Sequence, residues 1–150
     1  MQWADLAQFL DSGVAMLGAS ADATGQPETF RIWGATAPEE GVVRVLVSAD
    51  ACRTFEQVGP GARMALLFTD IGTFRSLQVK GRALGEPRPP GPDEMACFRR
   101  YDELFSGALQ GIGHPRRLAT SIRPLAVYAV DVEVDQQFDQ TPGPRAGLPA

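Results

Sequence analysis

The chain is poor in the side chains that carry most enzymatic chemistry. His114 is its only histidine, Lys80 its only lysine, and it has no asparagine. A Ser-His-Asp relay would have to pass through His114, which precedes Pro115 in a glycine-rich stretch and reads more simply as a turn residue. A multi-histidine metal site cannot be assembled within one copy. Cys52 and Cys97 make no CxxC pair, and there is neither a P-loop nor a GxGxxG. Cys52 falls near a helix start, which lowers a thiol pKa, but a small packing residue is the plainer reading. What the chain does offer is cations and hydroxyls: Arg31, Ser48, Arg53, Thr54 and Ser76, with Gln78, Lys80 and Arg82 beyond. Groups of this kind hold anions and do little bond-making themselves, so difficult chemistry would fall to a bound cofactor.

The last of these donors belong to residues 62–85, which read as two strands joined by a turn. Residues 62–69 are almost continuously apolar (Met64, Ala65, Leu66, Leu67, Phe68), as in a strand covered on both faces. Asp70-Ile71-Gly72-Thr73 supplies the turn, with Gly72 expected at positive φ. Leu77, Val79, Gly81 and Ala83 then alternate with Ser76, Gln78, Lys80 and Arg82. One face is core and the other a row of donors and cations. That row is either a solvated outer face or a surface for an anion or a second subunit.

The remaining elements fit one domain over residues 1–150. Trp3, Leu6, Ala7 and Leu10 predict a helix over 3–11 ended by Gly13, and residues 14–19 a short strand. Asp22 to Pro27 is a turn, residues 28–37 a second strand, and Pro38-Glu39-Glu40-Gly41 leads into a third strand at 42–48. Asp50 is expected to cap a helix holding Cys52, Phe55 and Val58, stopped by Gly59-Pro60. Residues 87–92 form a stiff linker, after which Asp93 caps a helix carrying Met95, Phe98, Tyr101 and Phe105. Residues 107–123 read as a glycine-rich loop with Arg116, Arg117 and Arg123, residues 125–134 as a last strand, and the end as a Pro/Gly tail that must wander or lie against something. A net charge of -4 disfavours nonspecific nucleic-acid binding. No apolar run approaches the ~20 residues that span a bilayer. The N-terminus shows no secretory signal, and two cysteines without a disulfide framework fit a reducing cytoplasm.

Three segments carry a family resemblance. Arg31-Ile32-Trp33-Gly34 is an arginine in the second strand followed by apolar residues. Val47-Ser48 closes the third strand, and Cys52-Arg53-Thr54 follows four residues later. Arg75-Ser76-Leu77-Gln78-Val79-Lys80-Gly81 opens the central hairpin's second strand. Together they resemble the flavin segments of the pyridoxamine 5'-phosphate oxidase-like, FMN-binding split-barrel proteins. The likeness covers roughly residues 10–86, with a looser echo in the last strand and tail. It implies a mainly β fold with short helices, a six-stranded antiparallel Greek-key split β-barrel. It also implies a homodimer with FMN in the groove between the subunits.

On that resemblance, Arg31, Ile32, Trp33, Gly34, Val47, Ser48, Cys52, Arg53, Thr54 and Ser76 bind the cofactor, with Arg53 at the phosphate. Thr54 stands where the family often has a phosphate-binding lysine, and Ser76 where it often has glutamine. Residues 120–150 also lack the tryptophan- and arginine-rich ending of the vitamin oxidases proper, so that particular activity is not implied. The activity implied is flavin-dependent oxidoreduction of an unknown small molecule, with a reductant such as NAD(P)H. The alternatives are a flavin carrier or sensor without turnover, a haem-binding or haem-degrading split barrel through His114, and a dimerisation domain with an empty groove. Trp33 reads as core or dimer packing more readily than as a flavin stack, and Lys80 as a solvated or interface cation rather than a Schiff-base lysine.

Overall fold

A computed structural model describes residues 1–21, 24–59 and 61–150, with the backbone alone for 56–58. Six antiparallel strands close into a barrel: β1 (Ala15–Ala21), β2 (Pro27–Glu39), β3 (Val42–Ser48), β4 (Arg63–Thr69), β5 (Ser76–Ala83) and β6 (Val127–Asp139). Their order around the wall is β1-β2-β3-β6-β5-β4, with β4 returning to β1. This is the barrel the sequence predicts. Alternation decides which side chains fill it. Met16, Val43, Val45, Val47, Leu66, Phe68, Leu77, Val79 and Val132 are all buried, and none exceeds 1% exposure. Helix α1 (Trp3–Leu10) adds Leu6, Phe9 and Leu10 to this core. Helix α2 (Ala49–Val58) adds Ala51, Cys52 and Phe55, whose ring sits 5.3 Å from that of Phe30. Helices α3 (Pro92–Gly111) and α4 (Arg116–Ile122) fill the connection from β5 to β6.

Several expectations change on contact with the structure. The stretch 107–123 is not a loop: α3 runs on to Gly111 and α4 follows, its Ala119 buried. Packing between α3 and α4 overrides the glycines' weak helix propensity. The last strand continues five residues past 134, because β5 pairs with it as far as Asp139. The turn after β4 is held by the Asp70 carboxylate, which accepts from the amides of Gly72 (2.8 Å) and Thr73 (3.2 Å). Those bonds hold its pKa below the ordinary value. The left-handed residue there is Phe74 (φ 61), not Gly72. Ser48 and Gly91, not Asp50 and Asp93, are the N-caps of α2 and α3. Asp22 and Pro60 lie outside the described residues.

The tail neither wanders nor swings free. It folds back on β6, where the Asp139 amide donates to the Leu148 carbonyl (2.9 Å) and the Ala150 amide to that of Gln137 (3.1 Å).

An ion network ties α3 to the barrel wall. Arg44 on β3 grips Asp131 on β6 with both arms (2.6 and 2.9 Å) and reaches Glu94 at 3.1 Å. Arg88 meets the same Glu94 oxygen at 2.6 Å, and the other oxygen accepts from the Gly91 amide at 2.8 Å. The Arg88 guanidinium, with the Gly91 amide, holds the Glu94 carboxyl down at about 2, below its ordinary 4.5. A carboxyl with a depressed folded pKa stabilises the fold above its unfolded pKa and loses that contribution as pH falls through the folded value. Stability is therefore expected to drop between roughly pH 4.5 and 2. Glu94→Gln should flatten that drop and cost about 1.5–3 kcal/mol at neutral pH, read by urea unfolding across pH.

Candidate functional site

The β2 segment splits across the barrel wall. Ile32 points inward and is fully buried, opposite Val47 of β3. Arg31 and Trp33 point outward, beneath α3. Gly34 sits at φ 138 where the β2–β3 register shifts, and a Cβ there would lie 3.1 Å from Cys97 Sγ. Only glycine takes that backbone comfortably so close to α3.

Arg31 is the most unusual charge in the molecule. Its guanidinium lies 4.7 Å from the Trp33 ring centroid and 4.5 Å from that of Phe105 on α3. One Nη donates a long bond to the Tyr101 hydroxyl (3.5 Å), and the buried Nε has no partner. Burial pushes the Tyr101 phenol up to about 12, so at neutral pH it stays a hydroxyl and gives Arg31 no counter-charge. No carboxylate lies within ion-pair distance of Arg31 among the described residues. Two ring faces hold the cation in place, and no carboxylate of the described residues neutralises it.

Around Arg31 the fold gathers most of the other candidates. Val47 faces the core, so only its backbone is open to a ligand; Ser48 is half-buried at the N-cap of α2, with no side-chain capping bond. Cys52 is buried. Arg53 stands on the second turn of α2 rather than the first, its side chain 71% exposed and paired with Asp50 (2.7 Å). Thr54 is buried and donates to Glu28 of β2 at 2.6 Å. Position 54, where the resemblance implies a phosphate contact, is thus engaged with a carboxylate of its own chain.

Ser76 lies apart. In sheet order β5 is three strands from β2, about 14 Å at ordinary strand spacing. The Ser76 hydroxyl shares a hydrogen bond with Thr69 (2.9 Å), and its amide donates to Thr141 of the tail (3.0 Å). The row beyond it is largely engaged within the chain. Gln78 bonds Gln140 (3.4 Å), Lys80 lies over the Phe138 ring (4.8 Å), and Arg82 donates to the Gly61 carbonyl (3.4 Å). His114 is exposed between α3 and α4, its amide closing a turn onto the Leu109 carbonyl (2.9 Å). Burial, with Asp11 and Glu94 nearby, pushes the Cys97 thiol up to about 11, so it is no nucleophile at neutral pH.

One feature escaped the sequence. Tyr101 and Phe105 read only as apolar positions of a helix, and nothing local says that α3 lands on Arg31. Residues 62–69 read as a strand covered on both faces, but within one chain the outer face of β1 and β4 is only partly covered: Ala15, Leu17, Ala19, Ala65 and Leu67 point outward in register, with Leu17 48% exposed.

No protein-family model matches the chain, and no curated protein matches it significantly. Solved structures do. HupZ of Group A Streptococcus superposes with a TM-score of 0.58 at 18% identity over 98% of this chain and 100% of that one. An F420 reductase gives 0.56 at 14% identity over 87% and 93% of the two chains. A candidate pyridoxamine 5'-phosphate oxidase from Lactobacillus delbrueckii gives 0.52 at 12% identity over 89% and 90%. The chain has the split-barrel fold of the pyridoxamine 5'-phosphate oxidase-like proteins.

Proposed function

We propose that two copies of this chain pack through the outer faces of β1 and β4 and bind FMN at their interface, as a cytoplasmic flavin-dependent oxidoreductase. The observation that carries the reading is Arg31, a fixed cation with no counter-ion among the described residues, paired across the sheet with the exposed Leu17. An anion placed there gains a charge-assisted bond without breaking an existing ion pair. Arg53 can join it at little cost, because its exposed pair with Asp50 is worth only a few tenths of a kcal/mol (~0.3–0.5). Thr54 stays with Glu28. Ser76, remote within one chain, would serve the flavin held by the partner copy. When bound, the flavin ring supplies hydride or electron-pair transfer; the chain supplies a phosphate grip, orientation and a dry interface. NAD(P)H or a small-molecule substrate would be the second reactant. A flavin carrier would use the same site, and steady-state reduction of the flavoprotein by NADH or NADPH separates the two.

Leu17 tests the packing. Light scattering is expected to give twice the chain mass of 16.1 kDa for the native protein and a single chain mass for Leu17→Asp. The variant should lose flavin at the same time. A native monomer at micromolar concentration would remove the groove.

A further inference from the structure

In a chain of net charge -4, residues 112–125 hold Arg116, Arg117, Arg123 and His114 and no carboxylate. They cover the turn out of α3, all of α4 and the approach to β6. Ala119 is buried and seats α4 on α3, but its neighbours leave aliphatic surface in solvent. Ile112, Leu118 and Ile122 are each 40–48% exposed, and Leu125 stands wholly clear of the fold. Leu118 and Ile122 fall one turn apart and share a stripe of the helix, while Arg117 and Ser121 share the stripe beside it. A cavity of about 480 Å3 opens there, lined by His114, Arg117, Leu118 and Ser121. Arg123 is paired with Asp102 at 2.9 Å, whereas the exposed Arg116 and Arg117 enter no ion pair among the described residues. Single exposed aliphatic side chains are ordinary, but a cluster of them interleaved with unpaired cations marks a contact surface.

We infer that this segment docks the protein on an anionic lipid surface. Leu118, Ile122 and Leu125 enter the boundary between headgroups and acyl chains, and Arg116 and Arg117 meet the lipid phosphates. The cations select the surface and the aliphatic side chains fix the depth. At seven residues α4 is far short of the ~20 that cross a bilayer, so it lies in the interface. Packing on α3 holds it already folded, and binding carries no cost of ordering it. The composition favours lipid over a protein partner, because the segment has no Trp, Tyr, Phe or Met, the side chains that protein interfaces collect. The surface shares no residue with the Arg31 cluster and does not depend on the flavin reading.

Flotation of the native protein with phosphatidylglycerol vesicles, against phosphatidylcholine vesicles, tests it. At about 1 mM lipid and low salt, most of the protein is expected to float with phosphatidylglycerol and about tenfold less with phosphatidylcholine, and added salt should weaken the binding. Arg116→Glu combined with Arg117→Glu, and separately Leu125→Asp, should each lower the partition onto phosphatidylglycerol by about tenfold or more, with the melting temperature unchanged because all three side chains are exposed. No flotation, or equal flotation with both lipids, would overturn the assignment without recourse to a variant. Flotation indifferent to Leu125→Asp would reduce it to adsorption by charge and overturn it too. Retention on immobilised polyglutamate without flotation would give the surface to an acidic protein instead.

Discussion

Replacing Arg31 with methionine is expected to weaken FMN binding by about 10- to 100-fold while leaving riboflavin within about threefold. Methionine keeps a flexible apolar stem between the rings of Trp33 and Phe105, so the packing of α3 on β2 survives. What it removes is the charge, and only the phosphate-bearing flavin depends on that. A bond to an ionised group is worth roughly 1.5–3 kcal/mol, which sets the size of the loss. Arg53→Ala should cost less, because that side chain is mostly exposed and already partnered by Asp50. If Arg53→Ala proves the more damaging, the phosphate sits on α2 and the uncompensated cation beneath α3 has another purpose. Fluorescence titrations of both flavins into both variants decide the ranking.

Gly81→Ala should do greater harm, and to the fold rather than the ligand. A Cβ at position 81 would overlap the Glu133 carbonyl oxygen and lie 2.8 Å from its carbon. The obstacle is backbone, held in the β5–β6 ladder beside the register shift, so it cannot rotate away as a side chain would. Overpacking of this kind costs about 3 kcal/mol or more. For a chain of this size that lowers the melting temperature by about 10 °C. Gly85→Ala is the control, since a Cβ there meets nothing within 4 Å. A Gly81→Ala protein melting within a degree or two of the native chain would mean that β5 and β6 are not so closely joined.

The barrel was legible because each strand announces itself locally. The strict alternation of 76–83 and the flanking turn residues fix faces and boundaries without reference to the rest of the chain. The helical content of 107–122 was not, because its glycines speak for a loop and only docking of α4 on α3 outweighs them. The same split runs through the site. Segments 31–34, 47–48 and 52–54 come together through neighbouring strands and the helix that follows them, so sequence proximity nearly suffices. The enclosure of Arg31 depends on Tyr101 and Phe105, some 70 residues away, and a helical apolar period cannot say what it packs against. The partnering of Thr54 by Glu28 is likewise a contact between distant positions. Neither charge balance nor its absence can be read along a chain; it emerges only where strands meet.

Titration of FMN into the purified protein is the most direct measurement of all. Flavin fluorescence should fall to a plateau at one FMN per chain, with a dissociation constant of about 1 μM or tighter and weaker binding of riboflavin. Flavin fluorescence that stays unquenched at protein concentrations far above micromolar, with the protein shown to be folded and dimeric, would contradict the proposal that this barrel is a flavoprotein.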